Sequence, residues 1–184
     1  MIYIFVGPPA SGKSTQAKLL AKELGYPYVS VSSLLRERVA REPHLREVMK
    51  EGDLLPSYIV EEALDHYFTK HPDNVVIDGA FRRGKEVNTL ARIWKEAEKV
   101  AILMVTSHDI IRHRALGRNE GREDDDPTVV EHRIRLYDKT VPSIIEHVEA
   151  NDIPLIRVDG NQSIEAIHKN IVGKLIHDHT TKDE

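Results

Sequence analysis

The sequence reads GPPASGKS at residues 7–14, which matches the pattern G-x-x-x-x-G-K-[ST] at every fixed position. The apolar run Ile2–Val6 comes directly before this stretch, and a helical pattern of apolar residues follows it. Glycine allows successive backbone N–H groups to point at phosphate oxygens, and the N-terminus of the following helix adds a positive end. We therefore predict a phosphate-binding loop that joins a first strand to a first helix; the alternative is a chance match in a glycine turn.

Three side chains have the chemistry that a metal-bound nucleotide requires. Lys13 is placed to reach the β- and γ-phosphates, and the Ser14 hydroxyl is placed to hold Mg²⁺. Asp78 ends the apolar run VVID at residues 75–78, the pattern of a Walker-B carboxylate, and is expected to hold the same ion through water. Its alternative role is to cap the turn that follows. The residues expected to surround the nucleotide phosphates are Gly7, Ala10, Ser11, Gly12, Lys13, Ser14 and Thr15.

The composition of the chain excludes several classes of protein. Of its 184 residues, 40% are hydrophobic and 30% are charged, and its formal net charge is −4. This balance gives no sign of a surface for nucleic acid or membrane, and no apolar run approaches the ~20 residues that span a bilayer. The chain has no cysteine, which excludes disulfides and thiol chemistry. We expect a cytoplasmic monomer in which residues 1–184 form one domain.

Five short apolar runs alternate with longer helical patterns. The runs lack polar alternation, as expected of parallel strands that are covered on both faces. Between the first two runs, Ala17, Leu20, Ala21 and Leu24 mark one helical face, and Gly25 ends it. This order predicts an α/β fold of three layers, α/β/α, whose five-stranded parallel sheet binds ligands at the carboxyl ends of its strands. The predicted strands are residues 2–6, 28–31, 75–77, 100–105 and 155–158.

Three further segments resemble the adenylate kinase family of nucleoside monophosphate kinases, and the resemblance covers about residues 2–175. The segments are SSLLR at residues 32–36, DGAFR at residues 78–82 and an arginine-rich stretch between Arg114 and Arg133. The resemblance implies a P-loop NTPase fold with helices that bind the acceptor nucleotide at about residues 31–60 and a short lid at about residues 117–127. It also implies Mg²⁺-dependent transfer of the γ-phosphoryl of ATP to a nucleoside monophosphate, with AMP as the first expectation.

The resemblance assigns an acceptor site. Arg36 and Arg82 match the arginines that grip the acceptor phosphate, and residues 52–56 match a turn whose backbone lies against the acceptor nucleoside. Val31, Ser32 and Ser33 stand where the family has threonine, glycine and aspartate. The residues expected at the acceptor are Val31, Ser32, Arg36, Leu54, Leu55, Gly79, Arg82 and Glu86.

The resemblance also assigns a donor site and a catalytic group of cations. Phosphoryl transfer depends on alignment and on cations that neutralise the spreading charge, and guanidinium is permanently charged and bidentate towards phosphate. Arg118 is expected to contact ATP. The alternative for the arginine-rich stretch is that its side chains lie on a solvated helix face. The resemblance implies that the loop with Gly160 packs on the ATP base. Because the lid is short and the chain has no cysteine, the lid is expected to hold no zinc. The expected catalytic residues are Lys13, Arg82, Arg118, Arg122 and Arg133.

The acceptor base depends on position 86. The family usually has a glutamine here that reads adenine, and this chain has Glu86. An ionised carboxylate only accepts hydrogen bonds, so it matches the two donors of guanine better than it matches adenine. In the alternative, Glu86 points to solvent in the first turn of a helix, where an acid is favoured.

Two other functions fit part of the pattern. A P-loop kinase for a small metabolite shares the phosphate-binding loop and a short lid, but the arginines together favour a nucleotide as acceptor. A nucleotide-binding regulatory protein with little turnover would suit the departures at Val31, Ser33 and Glu86. The kinase must bind two phosphorylated ligands at once, whereas the regulatory protein needs only one.

Overall fold

The computed structural model describes residues 1–70, 74–117 and 126–180. Within them, five parallel strands form one sheet in the order β2-β3-β1-β4-β5. All five predicted strands are present, and their ends differ from the prediction by one residue at most. The strands are β1 Ile2–Val6, β2 Tyr28–Ser30, β3 Val75–Asp78, β4 Lys99–Val105 and β5 Leu155–Asp159.

Helices connect the strands and begin and end where the local sequence requires. Gly12 and Gly25 flank α1 in left-handed conformations, with φ of 92° and 67°. Asp126 begins α8, since its side chain accepts a hydrogen bond from the Thr128 amide. The helices are α1 Lys13–Leu24, α2 Val31–Leu34, α3 Arg36–Arg41, α4 Pro43–Lys50, α5 Ser57–Lys70, α6 Gly84–Ile93, α7 His108–Leu116, α8 Pro127–Ala150 and α9 Ile164–Thr180.

The hydrophobic core has one part on each face of the sheet. Successive side chains of a strand point to opposite faces, so Ile4 of β1 packs among residues of α5, α6 and α8 such as Leu90. Its neighbour Phe5 packs among residues of α1 and α9 that include Leu20 and Ile171. The predicted three-layer α/β/α architecture is therefore confirmed.

No helix in the described ranges is long and apolar enough to cross a membrane. The longest one, α8, has Pro142 in its interior and carries charged residues along its length. It packs on α6 and also reaches α7 and β5. Val130 and Arg133 of α8 line the same cleft as Ser14 and Asp78, so α8 brings side chains to the carboxyl ends of the strands.

The packing of α6 on α8 gives a first prediction. A Cβ at Gly84 would lie 2.7 Å from the Ser143 carbonyl oxygen, which cannot move without its helix. We expect Gly84→Ala to lower the free energy of unfolding by about 1–3 kcal/mol, the usual effect of overpacking. Urea denaturation measures the change.

The control is Gly173→Ala in α9, where an added Cβ would meet nothing within 4 Å. That variant should raise the free energy of unfolding by about 0.5–1 kcal/mol, because alanine restricts the unfolded chain and favours helix. An unchanged urea midpoint for Gly84→Ala would mean that α6 and α8 do not lie this close.

Candidate active site

The loop at residues 7–14 joins β1 to α1 as predicted. Gly12 has a φ of 92°, a conformation that side chains disfavour, and it turns the chain into the first helix residue, Lys13. The Lys13 Nζ donates a hydrogen bond to the Pro8 carbonyl at 2.9 Å, so the side chain lies over its own loop. The loop therefore places an ammonium group and the N-terminus of α1 at one point, which suits an anion.

A buried carboxylate lies beside this loop. The Ser14 hydroxyl and, at 3.2 Å, the Tyr28 hydroxyl both donate to Asp78 Oδ2. Asp78 is only 7% exposed, and among the described residues its Oδ1 has no hydrogen-bond partner. A buried oxygen without a partner is unfavourable, and a cation at Oδ1 would relieve it.

The side chains present fit a magnesium ion. Mg²⁺ prefers oxygen ligands and is usually held by one or two carboxylates together with substrate phosphates. In the described part of the chain, no three His, Asp or Glu side chains are grouped to hold a metal ion by themselves. Ser14 and Asp78 supply the oxygen ligands that such an ion would share with a nucleotide.

Tyr28 is a member of this site that the sequence reasoning missed. Burial, followed by the charge of Asp78 and the hydrogen bond to it, raises the pKa of Tyr28 to about 12. The Lys18 ammonium lies 5.5 Å from the centre of its ring. Tyr28 could be assigned to the site only from the pairing of β2 with β3, in which Ser30 lies opposite Asp78. No local sequence pattern reveals that pairing.

Arginines from three separate segments line one cleft of about 370 Å³ in front of the loop. Arg36 opens α3, Arg82 follows β3 and Arg133 comes from α8. Burial, and then the positive charge of Arg133, lowers the pKa of the Arg82 guanidinium from its ordinary value. Cations converge here although they repel each other, which is the arrangement expected of a phosphate site.

Backbone contacts hold two of these arginines in place. The Arg82 side chain donates to the Gly79 carbonyl and to the Ser32 hydroxyl, each at 3.3 Å. The Arg133 stem passes over Gly52, where an added Cβ would lie 2.9 Å from Arg133 Cγ. Both guanidinium groups are thus directed by their local structure.

The donor side of the loop is marked by Arg114. Its guanidinium donates to the Ser11 carbonyl at 3.2 Å and to the Gln162 carbonyl at 3.3 Å. The loop that contains the buried Gly160 therefore lies against the phosphate-binding loop, where the resemblance implied the ATP base. Arg112, two residues earlier, instead pairs with Glu131 on the surface.

Two predicted acceptor residues need correction. Glu86 is fully buried, so the alternative in which it points to solvent is wrong. All four of its acceptor positions are used, by the Arg82 and Arg83 amides, the Ser57 hydroxyl and the Arg83 guanidinium. No oxygen remains for a base. Val31 begins α2 rather than ending β2, and its side chain is 0% exposed in the core.

The structure leaves the other predicted residues in three groups. Leu54 and Gly79 line a pocket together with Arg82, and the backbone carbonyls of Leu54 and Leu55 accept hydrogen bonds from Arg83. Thr15 is exposed on the first turn of α1. Arg118 and Arg122, with most of the predicted lid, lie outside the described residues.

The contact between Tyr28 and Asp78 gives a second prediction. Asp78→Asn removes the negative charge that disfavours the phenolate, so the pKa of Tyr28 should fall from about 12 towards 10. Because the wild-type pKa is raised, the stability contributed by the neutral phenol is present below pH 10 and is lost as the pH rises towards 12.

An NMR titration of the tyrosine Cζ resonances measures this pKa, with Tyr28→Phe to assign the signal. Asp109→Asn is the control, since the Asp109 side chain is 95% exposed and pairs with Arg112 rather than with Tyr28. An Asp78→Asn protein in which the Tyr28 signal titrates as in wild type would remove this contact from the site.

Comparisons with known proteins agree with the fold. The family described as an AAA domain matches residues 6–131. An adenylate kinase of Thermus thermophilus is 33% identical over 178 residues, which are 91% of this chain and 93% of the relative. The adenylate kinase of Prochlorococcus marinus is 30% identical over 176 residues, 91% of this chain and 94% of that protein. One from Xanthomonas campestris is 33% identical over 183 residues, 93% and 97% of the two chains. With similarity over nine-tenths of its length, the chain belongs to the adenylate kinase family of P-loop nucleoside monophosphate kinases.

Proposed function

We propose that this enzyme transfers the γ-phosphoryl of ATP to AMP in a Mg²⁺-dependent reaction. The observation that carries the proposal is the convergence of Arg36, Arg82 and Arg133 on one cleft that also contains Lys13 and Ser14. A protein that bound a single nucleotide would need the last two residues but not three further cations. The arrangement supports two phosphorylated ligands that meet in the cleft.

On the donor side, the loop at residues 7–14 binds the ATP phosphates. Its backbone N–H groups and the N-terminus of α1 face the phosphate oxygens, and Lys13 turns from the Pro8 carbonyl to the β- and γ-phosphates. Ser14 and Asp78 hold Mg²⁺, which neutralises charge on these phosphates when it is bound. Arg114 keeps the loop at residues 159–162 beside the phosphate-binding loop for the base.

On the acceptor side, Arg82, Arg36 and Arg133 hold the monophosphate so that one of its oxygens faces the γ-phosphorus. Permanently charged, planar guanidinium groups suit this role because they grip phosphate with paired hydrogen bonds. No general base is required, since the attacking phosphate oxygen is already ionised. Ser32, Gly79 and the backbone of residues 54–55 surround the acceptor.

The lid completes the site in this proposal. Arg118 contacts ATP, and Arg122 approaches the transferring group together with Arg133. Closure excludes water, which would otherwise accept the phosphoryl group. The chain then acts as one domain with an acceptor segment at about residues 31–60 and a lid at about residues 117–127. Its monomeric state, its cytoplasmic location and its lack of zinc stay predictions.

A kinase of the same family with another base preference is the second candidate. The observation in its favour is Glu86, which stands at the adenine-reading position of the family but turns inward to Arg83 and Ser57. Since Glu86 does not face the acceptor base, no described side chain of the acceptor site selects adenine. The expectation of AMP then depends on how common AMP is as an acceptor in the family. The acceptor panel below separates the two candidates.

The third prediction is that the enzyme forms ADP from Mg·ATP with AMP faster than with GMP, CMP, UMP or the deoxy forms. A coupled assay measures ADP for each acceptor. Lys13→Met should lower kcat about 100-fold or more, since loss of one group that stabilises transition-state charge costs about 2.7–4 kcal/mol. Lys22→Met, an exposed lysine in the last turn of the same helix, is the control and should keep full activity.

Three results are informative. A preference for GMP, CMP or UMP would replace AMP as the acceptor and keep the kinase. No product with any monophosphate, while ATP still binds, would favour a nucleotide-binding protein with little turnover. Full activity of Lys13→Met would contradict the role of the loop.

The fourth prediction concerns Arg82. Arg82→Ala should raise the KM for the acceptor about 10- to 100-fold, the usual effect of losing hydrogen bonds to a charged group, and should leave ATP affinity unchanged. Steady-state kinetics and ATP titration measure the two effects. Arg38→Ala is the control, because that arginine pairs with Glu42 and Glu62 on the surface. An unchanged acceptor KM would place Arg82 outside the acceptor site.

A further inference from the structure

Arg83, which no assigned role includes, contacts the acceptor turn. This turn, residues 52–56, joins α4 to α5. One guanidinium nitrogen of Arg83 donates to the Leu55 carbonyl at 2.7 Å, and the other donates to the Leu54 carbonyl at 3.0 Å. Two neighbouring carbonyls are thus held by one planar group, which fixes the orientation of the turn as well as its distance from α6.

Glu86 holds the other side of the same arrangement. Its Oε1 accepts from the Ser57 hydroxyl at 2.9 Å and from the Arg83 guanidinium at 3.2 Å. Its Oε2 accepts from the Arg82 amide at 2.8 Å and from the Arg83 amide at 3.0 Å. A carboxylate that is 0% exposed requires such partners, because an unpaired buried charge is strongly unfavourable.

The consequence is a mechanical link between two parts of the acceptor site. The Arg82 amide is fixed by Glu86, while the Arg82 side chain faces the phosphate cleft. The acceptor turn is fixed by Arg83, whose guanidinium is balanced by the same carboxylate. The residue that grips the phosphate and the turn beside the nucleoside are therefore held at a set separation by one network.

We propose that Arg83 and Glu86 are positioning residues that set the distance between the acceptor turn and Arg82, and that Glu86 does not read the acceptor base. The inference rests on the proposed function. All four acceptor positions of the Glu86 carboxylate are used within the chain and none of its surface is exposed, so base choice depends on other groups. The network acts on every nucleoside monophosphate alike.

This proposal differs from a purely structural role for the same residues. Loss of a contact that only supports the fold would weaken the binding of ATP and of the acceptor to the same extent, or would weaken neither in the folded enzyme. Loss of a positioning contact raises the KM for the acceptor and leaves ATP binding intact. The ratio of kcat/KM values between two acceptors separates positioning from base reading, since loss of a base-reading residue changes that ratio and loss of a positioning residue does not.

The experiment compares the full-length enzyme with Glu86→Gln, which keeps the shape but replaces one accepting oxygen with an amide donor. We expect the KM for AMP, GMP and CMP to rise about tenfold or more, the usual effect of losing a charge-assisted hydrogen bond. The relative kcat/KM values of the three acceptors should stay within about twofold, as should the Kd for ATP, because the transition-state difference between acceptors is untouched.

Two further variants keep the test decisive if Glu86→Gln folds poorly. Arg83→Lys keeps a positive charge near Glu86 but has one nitrogen in place of the planar fork that meets the two turn carbonyls, so it should also raise the acceptor KM. The double variant Arg83→Met, Glu86→Leu leaves no buried unpaired charge and should fold, with the acceptor KM raised as in the single variants. Arg92→Lys, an exposed arginine of the same helix, is the control and should change nothing.

Hydrogen exchange tests the link without any assay of activity. Amides of residues 52–55 and 57 and those of Arg82 and Arg83 should exchange faster in Glu86→Gln, while amides of α1 and α9 should not change. A tenfold or larger change in the AMP-to-GMP ratio would show that Glu86 reads the base and would overturn the proposal. Equal losses of ATP and acceptor binding, or unchanged exchange in the turn, would overturn it too. If the wild-type enzyme phosphorylates no monophosphate, the proposed function fails, and hydrogen exchange still decides whether the network holds the turn.

Discussion

The pairing of β1 with β3 is the constraint on which the rest of the site depends. Phe5 lies opposite Asp78 in this parallel pair, so the two strands end together. The phosphate-binding loop leaves one strand end, and the segment with Asp78 and Arg82 leaves the other. Since both strands are buried in the middle of the sheet, their separation is set by backbone hydrogen bonds and by packing on both faces. The metal ligands and the acceptor arginine, which follow these strand ends, are therefore held at fixed positions.

Two cations, Arg82 and Arg133, lie close together at the cleft. Burial lowers the pKa of the Arg82 guanidinium, and repulsion from Arg133 lowers it further. The nearby Glu86 lowers this repulsion through its charge, but its oxygens are committed to Arg83 and to backbone amides. A dianionic phosphate between the guanidinium groups would meet both preformed cations at once. Preorganised groups of this kind need little rearrangement when the substrate binds.

Local patterns predicted the strands, the phosphate-binding loop and Asp78, because each is encoded within a few neighbouring residues. Glu86 could not be assigned in this way. Its neighbours in sequence suggest an exposed helix start, whereas Ser57 and the guanidinium of Arg83 bury it. Tyr28 depends on the register between β2 and β3, which is a tertiary property. Val31 was expected in a strand, but the chain turns into α2 at that residue.

Gly52 has a consequence for how this enzyme can vary in evolution. The residue adopts a φ of 84°, and the space that a side chain would fill is taken by the stem of Arg133 and by Val129. A chain that gains a side chain at position 52 must therefore move α8, or shorten residues 129 and 133, at the same time. Positions 52 and 133, which lie 81 residues apart along the chain, are therefore expected to change together among relatives. Variation in the acceptor turn is then coupled to variation in α8.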